Sequence, residues 1–339
     1  MITDQFTRDF INLLSGRIGG RALSCSDQWF AEASNLVNPN PPIFRQGHFV
    51  ATGQWMDGWE SRRSFRRRDR DQQGVDYDWC ILRLGIPGSI YIVDVETTHF
   101  RGNAPEYASL EGAWVEGPIN DDTEWFSLLP KSALEANAQN EFAVSERRPC
   151  THLRLKIFPD GGVARLRTWG RAKPRREHYV EGELVDLASA ALGGYGQQCS
   201  DQFYSSPHNL VLPHPGDNMG DGWETRRRRD DGNDWCILRL GVPGNIRKVI
   251  VDTAHFVGNY PDEFVLEAAC IEGRETDENT EWITVIDRTP LGPDRAQVFI
   301  DQILTSPEQT FTHMRLNIFP DGGVSRLRVI GLPEWERLK

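Results

Sequence analysis

The chain is written twice. Residues 151–170 read THLRLKIFPDGGVARLRTWG and residues 312–331 read THMRLNIFPDGGVSRLRVIG, identical at 15 of 20 positions. The match continues upstream in the same order. SCSDQWF at Ser24 pairs with QCSDQFY at Gln198, DGWESRR at Asp57 with DGWETRR at Asp221, and DWCILRLGIPG at Asp78 with DWCILRLGVPG at Asp234. THFRGNAPE at Thr98 pairs with AHFVGNYPD at Ala254. The offset falls from 174 at the first of these blocks to 156 at the third and returns to 161 at the last. Insertions therefore lie between blocks, where surface loops accept them. The first copy carries the longer loop near Gln46–Gln54 and a longer arginine-rich stretch at Arg66–Gly74. A period this long is a duplicated domain rather than a short solenoid repeat. The polar, proline-containing stretch 171–182 reads as a linker between a first repeat at 1–170 and a second at 183–339.

Within each copy the apolar pattern has period two. Met314, Leu316 and Ile318 alternate with His313, Arg315 and Asn317, and the first copy repeats the pattern at Leu153, Leu155 and Ile157. CILRLG, RKVIVD, VLEAACIEG and EWITVI read as further short strands, punctuated by Pro-Gly and Asp-Gly-Gly turns. Helical patterning is confined to residues 4–15 and a short piece near Lys131–Ala138. The expected class is all-β, with each repeat an antiparallel sandwich of jelly-roll type.

Lys and Arg number 38 against 49 Asp and Glu, a formal charge of −11. That balance argues against non-specific nucleic-acid binding, which needs excess cations. No run approaches the ~18 apolar residues of a membrane helix, so no membrane partner is expected. The acidic N-terminal stretch does not read as an export signal, and the six cysteines form no CxxC pair. A reducing, cytoplasmic setting is the expectation.

Three blocks carry candidate chemistry. In DGWE[ST]RR, Glu60 and Glu224 are acceptors, the tryptophan offers an aromatic wall, and Arg62, Arg63, Arg226 and Arg227 are forks for a planar anion. The plain alternative is a Glu–Arg network on a sheet surface. In HFxGNxP[ED], His99 and His255 enter a loop and are candidates for proton transfer. The FPDGGV turns join strands whose outward arginines, Arg154 with Arg165 and Arg167, and Arg315 with Arg326 and Arg328, would steady an anion. No P-loop, nucleophile elbow or HExxH is present, and no ligand spacing announces a metal. No cofactor is expected, with a divalent metal left open.

Taken together, the duplicated DGWE[ST]RR, DWCILRLGxPG, HFxGNxP[ED] and IFPDGGVxRLR blocks resemble the allantoicase (allantoate amidinohydrolase) family, from about Ala22 to Gly331. The resemblance implies tandem jelly-roll domains of the galactose-binding-like type. It also implies a hydrolase of linear amidines that converts allantoate to ureidoglycolate and urea in allantoin breakdown, working as a homo-oligomer. On that reading Arg62 or Arg226 takes the substrate carboxylate, Glu60 or Glu224 a ureido arm, and His99 or His255 the proton, with Arg154 or Arg315 as fixed positive charge. Two other classes stay open at this point. One is a non-catalytic ligand- or carbohydrate-binding tandem sandwich; the other is a metal-dependent hydrolase of another ureido or guanidino acid. The sequence also leaves open whether both copies act, one is structural, or one pocket forms between them.

Overall fold

The computed structural model describes residues 10–63, 75–273 and 275–337. The arginine-rich stretch at 66–74 lies outside them. In the first repeat the strands are β1 (Ile11–Asn12), β2 (Arg21–Cys25), β3 (Phe49–Val50), β4 (Gly53–Gln54), β5 (Trp59–Glu60) and β6 (Asp78–Glu96). They continue with β7 (Tyr107–Ala113), β8 (Phe126–Ala133), β9 (Glu141–Ala143), β10 (Cys150–Phe158), β11 (Gly162–Val163) and β12 (Arg165–Ala172). The second repeat has β13 (Val185–Asp186), β14 (Tyr195–Cys199), β15 (Trp223–Glu224), β16 (Asp234–Asp252) and β17 (Glu263–Ala269). It ends with β18 (Ile283–Pro290), β19 (Ala296–Phe299), β20 (Thr310–Phe319), β21 (Gly323–Val324) and β22 (Arg326–Pro333). The helices of the described residues are short 3-10 turns.

One long strand organises each repeat. The first half of β6 pairs with β2 and β10; its second half pairs with β12 and β9. β10 continues to β7 and β8, and β12 to β1. The strand therefore belongs to two layers and turns between them at Gly85–Gly88. Glycine is required there because the chains touch: a Cβ on Gly85 would meet the Ile18 carbonyl at 2.5 Å. β16 does the same between β14, β20, β22 and β19. Cys80, Leu82, Leu84, Leu153, Leu155 and Ile157 fill the core of the first sandwich, as period two requires. The chain divides into units Met1–Lys173 and Pro174–Lys339. The break falls within 171–182, although Arg171 and Ala172 still belong to β12 and Arg176–His178 forms a 3-10 turn.

The helical expectation does not hold where it can be read. Ile11 and Asn12 are strand, and Leu13 donates its backbone N–H to Thr168. Lys131 lies in β8. Residues 4–9 are outside the described chain. Tertiary pairing of a few buried leucines wins over weak local pattern.

A register shift beside Tyr91 changes which side chains face inward. Beyond it Val93 and Val95 enter the core, and Asp94 and Glu96 share the other face with Arg165 and Arg167. Burial, then the nearby Glu96 carboxylate, push Asp94 up to about 7 against the pull of Arg167. An unfolded Asp titrates near its ordinary 3.8. The folded state thus keeps a proton that the unfolded state releases, and stability falls as pH rises from about 4 to about 7. The second repeat carries Ile250 at the matching position. Asp94→Asn keeps the shape and the acceptor for the Asn140 N–H. It is expected to stabilise the protein by about 3–4 kcal/mol at pH 8 and by only about 1 kcal/mol at pH 4.5. Urea unfolding at the two pH values checks this; an equal effect at both would remove the assigned cause.

Candidate functional site

The quoted motifs converge at one end of each sandwich. β11, from the DGG turn, pairs with β5, from DGWE, with Gly162 opposite Glu60 and Val163 opposite Trp59. Ala31 bridges to the other edge of Glu60. The HFxGN loop packs on the same ladder: Gly162 N–H donates to the Asn103 carbonyl at 2.7 Å, and a Cβ on Gly162 would overlap the Phe100 ring. The Asp-Gly-Gly sequence is thus a packing surface as well as a turn. The second repeat reproduces the arrangement with β21 on β15 and Gly323 on Phe256.

Glu60 accepts the Asn103 amide at 2.8 Å, and Glu224 the Asn259 amide at 2.6 Å. Burial pushes the Glu60 carboxyl above its ordinary value, opposed by the Asn103 hydrogen bond and the Arg63 charge. Arg63 donates to the Asp160 carboxylate at 3.1 Å and to the Gly102 carbonyl at 2.9 Å, closing a ring of polar groups with Glu60 and Asn103. Repeat two differs here. Asp321 accepts the backbone N–H of Arg228, whose guanidinium turns to Asp230 and Asp234. Arg227 is exposed and makes no such bridge among the described residues.

Arg62 reaches a carboxylate that sequence reasoning did not assign. Asp27 accepts its backbone N–H at 3.0 Å and its Nε at 2.9 Å, while the guanidinium lies over the Trp29 ring at 5.5 Å. Among the described residues neither Nη group makes a hydrogen bond, so that edge of the fork is offered outward. Asp201, Arg226 and Phe203 repeat the pairing and the stacking, with Nε at 2.9 Å and the ring at 5.2 Å, but here Nη2 also lies 2.9 Å from the Asp201 carboxylate. The tryptophans of DGWE are not walls. Trp59 and Trp223 are fully buried and donate Nε1 to the carbonyls of Asp27 and Asp201, fixing the residues that hold the forks. Exposed aromatics beside the forks are Trp29 and Phe203, with Tyr204 against Phe203.

His99 and His255 have left-handed backbones, φ 73° and 72°, held by side-chain acceptors of their N–H groups on Asn137 and Asp294. Such strain in a non-glycine residue concentrates at functional loops. His99 Nε2 lies 3.1 Å from the Pro42 carbonyl and His255 Nε2 2.8 Å from that of Gly216. A carbonyl only accepts, so Nε2 carries the hydrogen and Nδ1 is the basic nitrogen of the neutral ring. His99 is half-buried, with the Phe44 ring 5.8 Å away; His255 is exposed.

Arg154 and Arg315 lie elsewhere. They project from mid-strand, bonded to Glu111 and Glu267 at 2.6 Å and stacked over Trp125 and Trp282. Arg165 and Arg326, expected to point outward, are 0% and 1% exposed. The loop before β5 folds over Arg165, and the loop before β15 over Arg326. Arg165 donates to the Asn40 carbonyl and to the carbonyl and carboxylate of Asp57; Arg326 donates to the His214 carbonyl and to both groups of Asp221. Arg167 pairs with Glu96 and Arg328 with Asp186. Among the described residues no group of three or more His, Cys, Asp or Glu is placed to hold a metal. The second repeat also has a depression of about 720 Å³ beside Arg176, Tyr179 and Trp335, which none of the sequence-predicted residues lines.

A family model of the allantoicase repeat matches the chain twice, over residues 11–173 and 185–334. The chain belongs to the allantoicase family. The allantoicase of Dictyostelium discoideum is 40% identical to it over 334 residues, 96% of this chain and 87% of that protein. A probable allantoicase of Stutzerimonas stutzeri is 44% identical over 328 residues, covering 95% and 96%. The crystal structure of the Saccharomyces cerevisiae allantoicase superposes with a TM-score of 0.77 at 33% identity, over 95% of this chain and 93% of that one. Membership in the allantoicase family thus spans both repeats and the loop cluster of each.

A buried guanidinium fixes the loop before β5 and, in the second repeat, the loop before β15 of this allantoicase-family chain. Asp221→Ala strands Arg326 without its carboxylate and is expected to cost about 3–5 kcal/mol of stability. Urea unfolding of the variant measures the loss; less than 1 kcal/mol would mean that the carbonyls alone hold Arg326.

Proposed function

We propose that the chain is an allantoicase, hydrolysing allantoate to ureidoglycolate and urea in allantoin degradation. The observation that carries this reading is the near-full-length match to allantoicases in both repeats. The loop clusters suit the substrate. Allantoate is a small anion with two ureido arms on the carbon that bears its carboxylate. Arg62 presents two Nη groups that are unengaged among the described residues, a fork for that carboxylate. Glu60, with one oxygen on Asn103, has the other to accept ureido N–H groups. His99 Nδ1 takes a proton from the water that attacks the carbon and passes it to the departing urea nitrogen. Arg226, Glu224 and His255 are the counterparts in the second repeat. Arg63 and Arg227 are adjacent cations, the first already engaged. Arg154 and Arg315 act through the sheet they brace rather than by touching substrate.

The first cluster is the more enclosed, since its histidine is half-buried and Arg63 closes over Glu60. Water exclusion strengthens every polar contact there. We place the greater share of the chemistry in that repeat. A cytoplasmic location is supported by the six cysteines, none of which is in a disulfide. Assembly into a homo-oligomer is supported by the exposed Ile43, Phe44, Phe49 and Val50 on one loop.

The deciding experiment is urea release from allantoate by the purified chain, with and without a chelator. Release in both is expected. No release by a folded chain would end the reading, and loss only with chelator would move the chemistry to a metal. Glu60→Gln is expected to lower kcat by about 10²-fold, and Glu224→Gln by less. Arg62→Ala is expected to raise KM by about tenfold or more through loss of a charge-assisted pair. Steady-state kinetics of the three variants separates these roles.

A further inference from the structure

Each repeat sets two cysteines opposite one another on neighbouring antiparallel strands. Cys25, the last residue of β2, is in register with Cys80 of β6. Cys199, the last residue of β14, is in register with Cys236 of β16. The next residues carry the backbone hydrogen bond: Ser26 N–H donates to the Trp79 carbonyl and Ser200 N–H to that of Trp235, both at 2.9 Å. The cysteines therefore occupy the non-hydrogen-bonded position of the ladder, where facing Cα atoms lie ~4.5 Å apart. Facing residues project to the same side of the sheet. That separation falls within the ~4.4–6.8 Å that a disulfide spans. Cys80 and Cys236 are sealed in the cores, and Cys25 and Cys199 are half-buried at the rims. The other two cysteines have no such arrangement: Cys150 is in register with Gly88, and Cys270 is exposed.

We propose that each repeat carries a cross-strand dithiol, Cys25–Cys80 and Cys199–Cys236, that closes to a disulfide when the protein meets a peroxide. The half-buried cysteine is the entry point. Its thiolate sulfur attacks one peroxide oxygen, the O–O bond breaks, and a sulfenic acid and one water result. The sealed thiol's sulfur then displaces the hydroxyl; the S–S bond forms, the S–O bond breaks and a second water leaves. Each pair gives up two hydrogens and two electrons to one peroxide. The position gives closure a structural consequence. Two residues beyond Cys25 and Cys199 lie Asp27 and Asp201, the carboxylates that hold Arg62 and Arg226. A disulfide would tie the anchor of each fork to the long strand.

Burial, and then the carboxylates of Asp27 and Asp78, raise the Cys25 thiol, and burial and then Cys25 raise Cys80. Burial and then Cys199 raise Cys236. Few thiolates exist near neutral pH, so closure is slow there and accelerates as pH rises. This inference does not depend on the activity assigned above.

The test treats the native full-length chain with hydrogen peroxide at pH 7 and at pH 9. Remaining thiols are then alkylated, and the protein is digested without reduction and read by mass spectrometry. The expected result is a loss of about 2 Da per pair before alkylation. Linked peptides Cys25–Cys80 and Cys199–Cys236 should form at least several-fold faster at pH 9 and revert with a thiol reductant. The Cys25→Ser/Cys199→Ser double variant should form neither link. Sulfinic acid on Cys25 or Cys199 without linkage would overturn the proposal. Links confined to Cys150 or Cys270, or no linkage short of unfolding, would do the same.

Discussion

A guanidinium sealed inside each repeat decides where the functional loops lie. Stripping an ion of water costs several kcal/mol, and the cost is met only when every donor finds an acceptor. Arg165 finds its acceptors on Asn40 and Asp57, and Arg326 on His214 and Asp221. These belong to the loops that run up to β5 and β15 respectively. Neither loop can leave without stranding a buried charge. Their carbonyls at Pro42 and Gly216 are also where His99 and His255 place Nε2. One buried cation thus sets the position of the loop, and the loop sets the tautomer of the histidine.

The duplication works as an internal control on which contacts matter. Both copies keep an aspartate under the first arginine, an amide on the glutamate, a left-handed histidine and a glycine pressed on a phenylalanine ring. These contacts survive despite loops of different length, so they follow from local chemistry rather than from one loop's accidents. The copies part where Arg63 bridges to Asp160 and Gly102 while Arg228 takes over Asp321 through its backbone. They part again where the carboxyl of Asp94 faces Arg167 and an apolar Ile250 faces Arg328. Each difference changes how charge is shared at a fixed backbone position, which is how one scaffold acquires two unequal ends.

Much of this was legible in the residues. Alternation in HMRLNIF placed Met314, Leu316 and Ile318 in the core, and all three are fully buried. The repeat located the two sandwiches, and the quoted blocks named the loops that meet. What stayed hidden had physical reasons. Alternation counts two residues per repeat, and the register shifts beside Tyr91 and Arg247 each insert one more, so the phase of the following side chains could not be carried through. Arg165 and Arg326 read as outward because a sheet face looks solvent-exposed until a loop distant in sequence covers it. Asp27 and Asp201 stood in a quoted block without a role, since nothing local says which arginine a carboxylate will meet 35 or 25 residues away. Their recurrence in both copies was the available signal.

The charge balance of the loops bears on what they can hold. A protein with a formal charge of −11 repels an anion at long range, but salt screens that field within ~8 Å. Close in, each cation of the first cluster is already matched: Arg62 with Asp27, Arg63 with Asp160, Arg165 with Asp57. What the cluster offers is therefore direction rather than excess positive charge. The Nη edge of Arg62 donates, and Glu60 accepts beside it. A bulky polyanion gains little from such a surface. A small ligand gains more when one carboxylate can reach a fork and its neutral planar arms can meet an acceptor. The paired charges also hold the forks in place. Each guanidinium is held on its Nε edge by a carboxylate that a buried tryptophan fixes in turn, so little side-chain entropy is left to lose when the other edge binds.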